Sequence, residues 1–473
     1  MWQNHPDPDI SVNEQMLYVL IIHLSAIIAD ILVLSALGHM VYQRREPTSM
    51  IAWLLAIILL PYIAVPLYFV FRSRKLRKRT KAQIQLTCKG EVAPENATSL
   101  DMILRGNGIA GATLGNWFAF YTDGVDAYSA LMAQIQKAEQ QILISTYVFS
   151  SDEVAQSILE ALARKASQGI SVKLLIDSIG SLPLYLSQAP LKKFKKAGGK
   201  VAFYMPLLTR PFQNYINLRN HRKIFLFDGK TVLAGGMNLS REYMGPGPCD
   251  ERWQDILFSI QGPAVFHYME IFTQDWNHTA REKLDAPVQM PLSHGDTGIQ
   301  VVPSGPDIAG DALYEALLSA IFTAEERIWI VTPYFVPDRG LMQALVIARH
   351  RGVDIKLITP ANSNHWIADL GRSSYMRDLT TNGIEVCLYR AGMIHAKAIL
   401  VDTKGVMMGS ANIDQRSLFL NYEVVSFIYS EKIIAESDRW MRMLLEKCHG
   451  PMKPASRWRK MGENLMSIFA PML

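Results

Sequence analysis

Apolar positions fall into two regimes along the 473 residues. The chain opens with two continuous apolar stretches, Met16–Tyr42 and Ser49–Phe71, the second with 23 residues and no charge. About 20 apolar residues cross a bilayer as a helix, so the pattern predicts a membrane hairpin with helices over about 16–40 and 49–71. His23, Asp30 and His39 interrupt the first stretch. Pro61 and Pro66 lie inside the second, where a kink or a re-entrant course is open. Asp7, Asp9 and Glu14 before an overlong apolar run argue against a cleaved signal peptide.

After a polar linker that ends near Gly111, short apolar runs alternate with stretches of helical spacing. "DEVAQSILEALARKASQG" is one such helix, with Gly169 as its stop. The runs also repeat. "AEQQILISTYVF" (Ala138–Phe149) returns as "AEERIWIVTPYFV" (Ala324–Val336), and "GISVKLLIDS" (Gly169–Ser178) as "GVDIKLITPA" (Gly352–Ala361), at offsets of 186 and 183. Strand–helix alternation implies a sheet covered by helices. The prediction is therefore an α/β fold of two duplicated halves.

Charge changes this picture in one place. The run "RSRKLRKRTK" (Arg72–Lys81) carries seven basic residues against a formal net charge of +5, so the remainder sums to 5 − 7 = −2. Such a local patch does not make a broad nucleic-acid surface. It outweighs Arg44 and Arg45 of the hairpin connector, which places both termini and everything downstream on the cytoplasmic side. Beside a membrane it either attracts anionic headgroups or acts only as a topology signal. Cys88, Cys249, Cys387 and Cys448 are widely spaced with no C-x-x-C pair, which fits a reducing compartment and no zinc site.

The candidate chemistry repeats with the halves. "NHRKIFLFDGKTVLAGGMN" (Asn220–Asn238) and "IHAKAILVDTKGVMMGSAN" (Ile394–Asn412) each place Lys at +2 from His, Asp at +7, Gly at +14 and Asn at +17. Residues i and i+2 of a strand share a face. Thus His221 projects with Lys223 and His395 with Lys397, while Arg222 faces away. Asp228 and Asp402, where strand meets turn, are read as structural members of the motif. A pseudo-twofold axis would bring both motifs to one cleft. There Lys223, Lys397, Asn238 and Asn412 would hold a phosphate, one imidazole would attack phosphorus and the other protonate the leaving oxygen. Asp255 and Glu423, each on a later strand, are candidates to orient the imidazoles. No cluster at metal spacing accompanies them, and metal-free, cofactor-free catalysis is expected.

These residues resemble the phospholipase D superfamily, whose signature H-x-K-x4-D-x6-G-S-x-N occurs twice per active unit. The second copy fits completely, and the resemblance implies that Ser410 joins the phosphate contacts; the first has Gly236 where Ser is usual. With "REPTSMIAWLLAIILLPYIAVPLYFVF", "RNHRKIFLFDGKTVLAGGMNLSREY" and "GSANIDQRS", the chain is similar to bacterial cardiolipin synthases of that superfamily. The resemblance implies two phospholipase D-like α-β-α halves about a pseudo-twofold axis. The expected layout is a hairpin over 1–71, a basic linker over 72–110, halves over 111–292 and 293–450, and a tail over 451–473. It implies transfer of a phosphatidyl group between two phosphatidylglycerols at a bacterial inner membrane, with His221 as nucleophile and His395 as general acid. A homodimer stays open. Asp177 and Tyr334 are further candidates to line a lipid pocket. In the tail, Trp458, Met461, Leu465, Ile468 and Met472 recur at helical spacing beside Arg457, Arg459 and Lys460, which reads as an interfacial helix or one docked on protein. The alternatives are a membrane-bound phospholipase D releasing phosphatidic acid and a non-catalytic lipid-binding scaffold.

Overall fold

The computed structural model describes residues 8–42, 47–71, 86–87, 91–93, 98–206, 217–308, 310–448, 452 and 454–469. The basic run Arg72–Lys81, Cys88, Met472 and the side chain of Ile468 lie outside that description.

One compact unit contains the N-terminal helices α1 (Pro8–Tyr42), α2 (Pro47–Leu59) and α3 (Pro61–Phe71). Within α1, Met16–His39 is long and apolar enough to cross a membrane. His23 Nδ1 and Ser25 Oγ lie 3.1 and 2.7 Å from the carbonyls of Val19 and Ile21, so these polar groups are satisfied within the helix. The second apolar stretch divides at Leu60, where Pro61 left a kink open, because Pro61 has no N–H to continue the ladder. Ala36, Ile57, Ala64, Val65 and Tyr68 bury one another where the three helices meet, and His39 Nδ1 lies 2.7 Å from the Tyr68 hydroxyl.

The second unit is built on one sheet. Its first half comprises α4 (Ser99–Gly106), β1 (Thr113–Tyr121), α5 (Gly124–Lys137), β2 (Gln141–Thr146), α6 (Glu153–Ser167), β3 (Ser171–Asp177), α7 (Leu182–Leu186), α8 (Leu191–Lys196), β4 (Lys200–Tyr204), β5 (Ile224–Phe227), β6 (Thr231–Gly235), β7 (Leu257–Gln261) and α9 (Ala264–Thr279). The second half comprises β8 (Thr297–Ser304), α10 (Ala312–Thr323), β9 (Arg327–Val331), β10 (Phe335–Val336), α11 (Arg339–His350), β11 (Asp354–Pro360), α12 (Trp366–Thr381), β12 (Glu385–Tyr389), β13 (Ala398–Val401), β14 (Gly405–Gly409), β15 (Ile413–Asp414), α13 (Gln415–Phe419), β16 (Glu423–Tyr429) and α14 (Glu431–Glu446). Helix α15 (Arg457–Phe469) follows.

The 14 strands run β12-β11-β9-β13-β14-β16-β8-β1-β7-β6-β5-β2-β3-β4, an order that reads the same from either end once equivalent strands of the two halves are matched. The seam is the antiparallel pair β1·β8, with Thr113 opposite Ile299 and Asn116 opposite Thr297. Asn116 is buried there; its amide donates to the carbonyls of Thr113 and Thr297 at 2.8 and 3.1 Å and accepts from Ala264 N–H at 2.8 Å.

Matching residues build matching elements in the two halves. Asp152 caps α6 by accepting from Ala155 N–H at 2.9 Å, and Asp338 caps α11 by accepting from Leu341 N–H at 3.0 Å. Gly169 and Gly352 leave those helices at φ 87° and 96°, a region that glycine enters without a Cβ penalty. The apolar faces of α5 and α6 close over β2 and β3 through Leu131, Ile135, Ile158 and Leu162, with Ile144 and Leu174 beneath them.

Candidate active site

The strands proper begin at Ile224 and Ala398, one residue after each motif lysine, so His and Lys precede the strand instead of opening it. The reason lies in the backbone. His221 N–H donates to Tyr422 O at 2.9 Å, and Tyr422 N–H returns a bond to Arg219 O at 2.9 Å. In the other half, His395 N–H donates to Gln254 O at 2.7 Å, and Gln254 N–H donates to Met393 O at 2.8 Å. Each motif histidine is thus pinned to a segment of the opposite half, immediately before a carboxylate.

That bracing decides which carboxylate serves which imidazole. His221 Nδ1 lies 3.0 Å from Glu423 Oε2 and 3.2 Å from the Ser410 carbonyl. Both are acceptors, so Nδ1 carries the proton and Nε2 keeps its lone pair. His395 Nδ1 lies 2.7 Å from Asp255 Oδ2. The Lys397 ammonium crowds this second ring, 2.6 Å from Nδ1 and 3.1 Å from Nε2. Burial lowers the pKa of both histidines; Glu423 opposes this at His221, whereas Lys397 reinforces it at His395, whose pKa is pushed down to about 3. Burial acts to raise both carboxyls, but the lysines and histidines beside them hold Asp255 and Glu423 below the usual range.

The Gly236 departure has a steric reason. A Cβ on Gly236 would stand 2.1 Å from Asp255 Oδ1, so that carboxylate fills the space a side chain would need. At the matching place Ser410 donates to Glu423 Oε2 at 2.5 Å and accepts from Val424 N–H at 3.0 Å. Glutamate, one methylene longer, leaves room for the serine; aspartate does not. Ser410 is fully buried behind the imidazole, and its hydroxyl bonds the carboxylate.

Lys223 and Lys397 are buried below the histidines. Lys223 Nζ donates to His221 O at 2.8 Å and lies 5.5 Å from the Tyr147 ring centroid. Burial pushes its pKa down to about 7 and that of Lys397 to about 8, despite the nearby carboxylates that pull both upward. An ammonium held in a low-dielectric site interacts with an anion more strongly than an exposed one does. Asn238 and Asn412 stand on the pocket wall with the histidines. Asn238 Oδ1 accepts from Val148 N–H at 3.1 Å.

Asp228 and Asp402 lie at the far ends of β5 and β13, at φ 52° and 48°. Asp228 accepts backbone N–H from Glu139, Gln140 and Gln141 at 2.8–2.9 Å, and Asp402 from Glu325, Glu326 and Arg327 at 2.8–3.0 Å. Each ties its motif strand to the start of the neighbouring one. Arg222 points away from the pocket, fully buried, and ion-pairs with Asp275 at 2.7 Å and Asp307 at 3.2 Å. Asp177 also lies off the pocket wall: it receives N–H groups from Ile179, Gly180 and Asn220 and faces Arg219 Nε at 3.4 Å. Tyr334 does line the pocket, bonded to Asn364.

Both motif histidines open into one cavity of about 740 Å³ whose wall draws on both halves. Sequence reasoning passed over several of its residues: Tyr147, Arg219, Glu242, Trp366 and Arg416. Arg219 and Arg416 stood inside the quoted segments, but nothing in their spacing separates a pocket arginine from a surface one. Among the described residues there is no group of three or more His, Cys, Asp or Glu placed to hold a metal.

A family profile described as cardiolipin synthase, phospholipase D-like domain, matches residues 131–276 and 317–445, and one described as phospholipase D-nuclease N-terminal matches 31–72. A cardiolipin synthase of Clostridium perfringens is 31% identical over 457 residues, covering 91% of this chain and 95% of that protein. The major cardiolipin synthase of Bacillus subtilis is 31% identical, with the same 91% and 95% coverage. In fold alone, the crystal structure of phosphatidylserine synthase from Haemophilus influenzae matches 79% of this chain and 97% of its own with a TM-score of 0.60 at 15% identity. The duplicated motif, the shared sheet and this full-length similarity converge: the chain belongs to the cardiolipin synthase family of phospholipase D-like proteins.

Proposed function

We propose that this protein joins two phosphatidylglycerols into cardiolipin with release of glycerol, through a phosphohistidine. The observation that carries the reading is the pair of histidines, each oriented by a carboxylate of the opposite half, in one cavity. His221 is the nucleophile. Its Nε2 lone pair faces the pocket without an intramolecular partner among the described residues, whereas Lys397 crowds His395. As the P–N bond forms, the P–O bond to glycerol breaks; His395, protonated once the entering phosphate anion offsets the Lys397 charge that holds its pKa down, supplies the proton that the departing oxygen needs. The terminal hydroxyl of a second phosphatidylglycerol then gives its proton back to His395 and attacks phosphorus, and the P–N bond breaks. Lys223, Lys397, Asn238 and Asn412 stabilise the phosphoryl oxygens throughout.

Brief reaction with phosphatidylglycerol labelled at phosphorus, stopped by acid-free denaturation, tests the roles. Label is expected on His221 in wild type and absent from His221→Ala. Label on His395 reverses the assignment.

The attachment proposed is a hairpin in which α2 and α3 return across the bilayer beside α1, with the catalytic unit on the cytoplasmic side. The packing of Ala36 with Ile57 and Ala64 supports the hairpin, and the basic run after it supports the orientation. The tail is proposed as a second membrane contact. Glu463 of α15 is buried and holds Arg377 of α12 at 2.7 Å, while Trp458, Met461 and Leu465 are 78%, 59% and 58% exposed. A helix that turns its acid inward and its apolar side outward suits a lipid interface.

A further inference from the structure

Cardiolipin formation as read above brings two phosphodiesters into one cavity, and the histidines, lysines and asparagines attend only the one that reacts. The other belongs to the acceptor lipid, and its headgroup hydroxyl sits three carbons away from it. The acceptor therefore brings a second phosphodiester anion to the cavity.

The pocket wall holds a candidate. Arg219, two residues before His221, is 3% exposed, and its Nη1 finds no hydrogen-bond partner. The rest of the guanidinium is fixed: Nε donates to Leu218 O at 2.8 Å with Asp177 at 3.4 Å, and Nη2 donates to Met205 O at 3.2 Å. A buried donor left without an acceptor is costly and rare in a folded protein. Arg416, half-exposed and following Asn412 in the second half, lines the same cavity. Its charge adds to burial in weakening the hold of Arg219 on its proton, so the two cations on this wall repel each other. An anion between them removes that repulsion and supplies the missing acceptor.

We propose that Arg219 and Arg416 form a second anion subsite that binds the phosphodiester of the acceptor lipid. The inference rests on the transferase reading and extends it. It also explains the choice of acceptor: water and small alcohols gain nothing from this subsite, whereas a phospholipid is held with its hydroxyl near the phosphohistidine.

The test compares two reactions of the full-length protein in phosphatidylglycerol vesicles. One is cardiolipin formation; the other is exchange of labelled glycerol into phosphatidylglycerol, which uses the same phosphohistidine but an uncharged acceptor. In Arg416→Gln and Arg219→Gln, the ratio of cardiolipin formation to glycerol exchange is expected to fall tenfold or more, with partial recovery in Arg416→Lys. A parallel fall of both reactions, or no change in the ratio, overturns the proposal. Arg416→Gln decides alone where Arg219→Gln, which also loses the Asp177 contact, fails to fold. Inorganic phosphate separates lipid from free anion: inhibition confined to cardiolipin formation and relieved by more phosphatidylglycerol supports a lipid subsite, and equal inhibition of both reactions contradicts it. Wild type that performs neither reaction refutes the transferase reading itself.

Discussion

His221 and His395 look equivalent in the sequence, and their surroundings make them unequal. Glu423 is shared with Ser410, whereas Asp255 occupies the space that a serine at 236 would fill. Gly236→Ser is therefore no repair of the motif. It drives Cβ into the carboxylate and turns the His395 ring, at a cost of about 1–3 kcal/mol, or roughly tenfold or more in rate. Steady-state cardiolipin formation is expected to drop by that factor and the unfolding temperature by a few degrees from the same overpacking; a fully active Gly236→Ser would show that Asp255 does not orient His395. The Gly at 236 was visible as a departure from the first line of residues. Its reason was not, because the clash is with a residue 19 positions later on another strand.

At the scale of elements, the paired strands, the helices between them and the stop at Gly169 were legible, since local spacing and turn chemistry dictate them. The start of β5 and β13 was not. Apolar alternation marks where a chain is extended, but the cross-half bonds at Tyr422 and Gln254 decide where ladder pairing begins. The second apolar stretch divided at Pro61, as the missing N–H requires. The tail shows the same limit: spacing gives an amphipathic helix, and only the buried Glu463–Arg377 pair tells which side turns inward. On that orientation, Trp458→Glu with Leu465→Glu weakens access to lipid. The KM for phosphatidylglycerol in vesicles is expected to rise about three- to tenfold, from lost apolar burial in the interface. Unfolding temperature should hold, because those side chains are exposed in the fold. A fall in unfolding temperature with unchanged KM would place the stripe against protein instead.

At the scale of the molecule, neither half contains a complete site. The duplication and the convergence of two motifs could be read from equal intervals, because a twofold fold maps equal spacing to equal position. Which carboxylate serves which histidine could not, since the partnership runs through bridges between halves, Asn220 to Tyr422 and Gln254 to Ile394. The arginines of the proposed acceptor subsite were hidden for a similar reason: Arg219 and Arg416 come onto one pocket wall only in the folded chain. The consequence is that damage to either half should stop the whole reaction, not half of it.

The most direct measurement uses the full-length protein in vesicles of phosphatidylglycerol alone, with products followed by mass spectrometry in wild type, His221→Ala and His395→Ala. Cardiolipin with equimolar glycerol is expected from wild type and neither product from either variant. Phosphatidic acid in place of cardiolipin would mean that water, not lipid, takes the phosphatidyl group, and turnover unchanged in both variants would mean that the paired histidines are not the site.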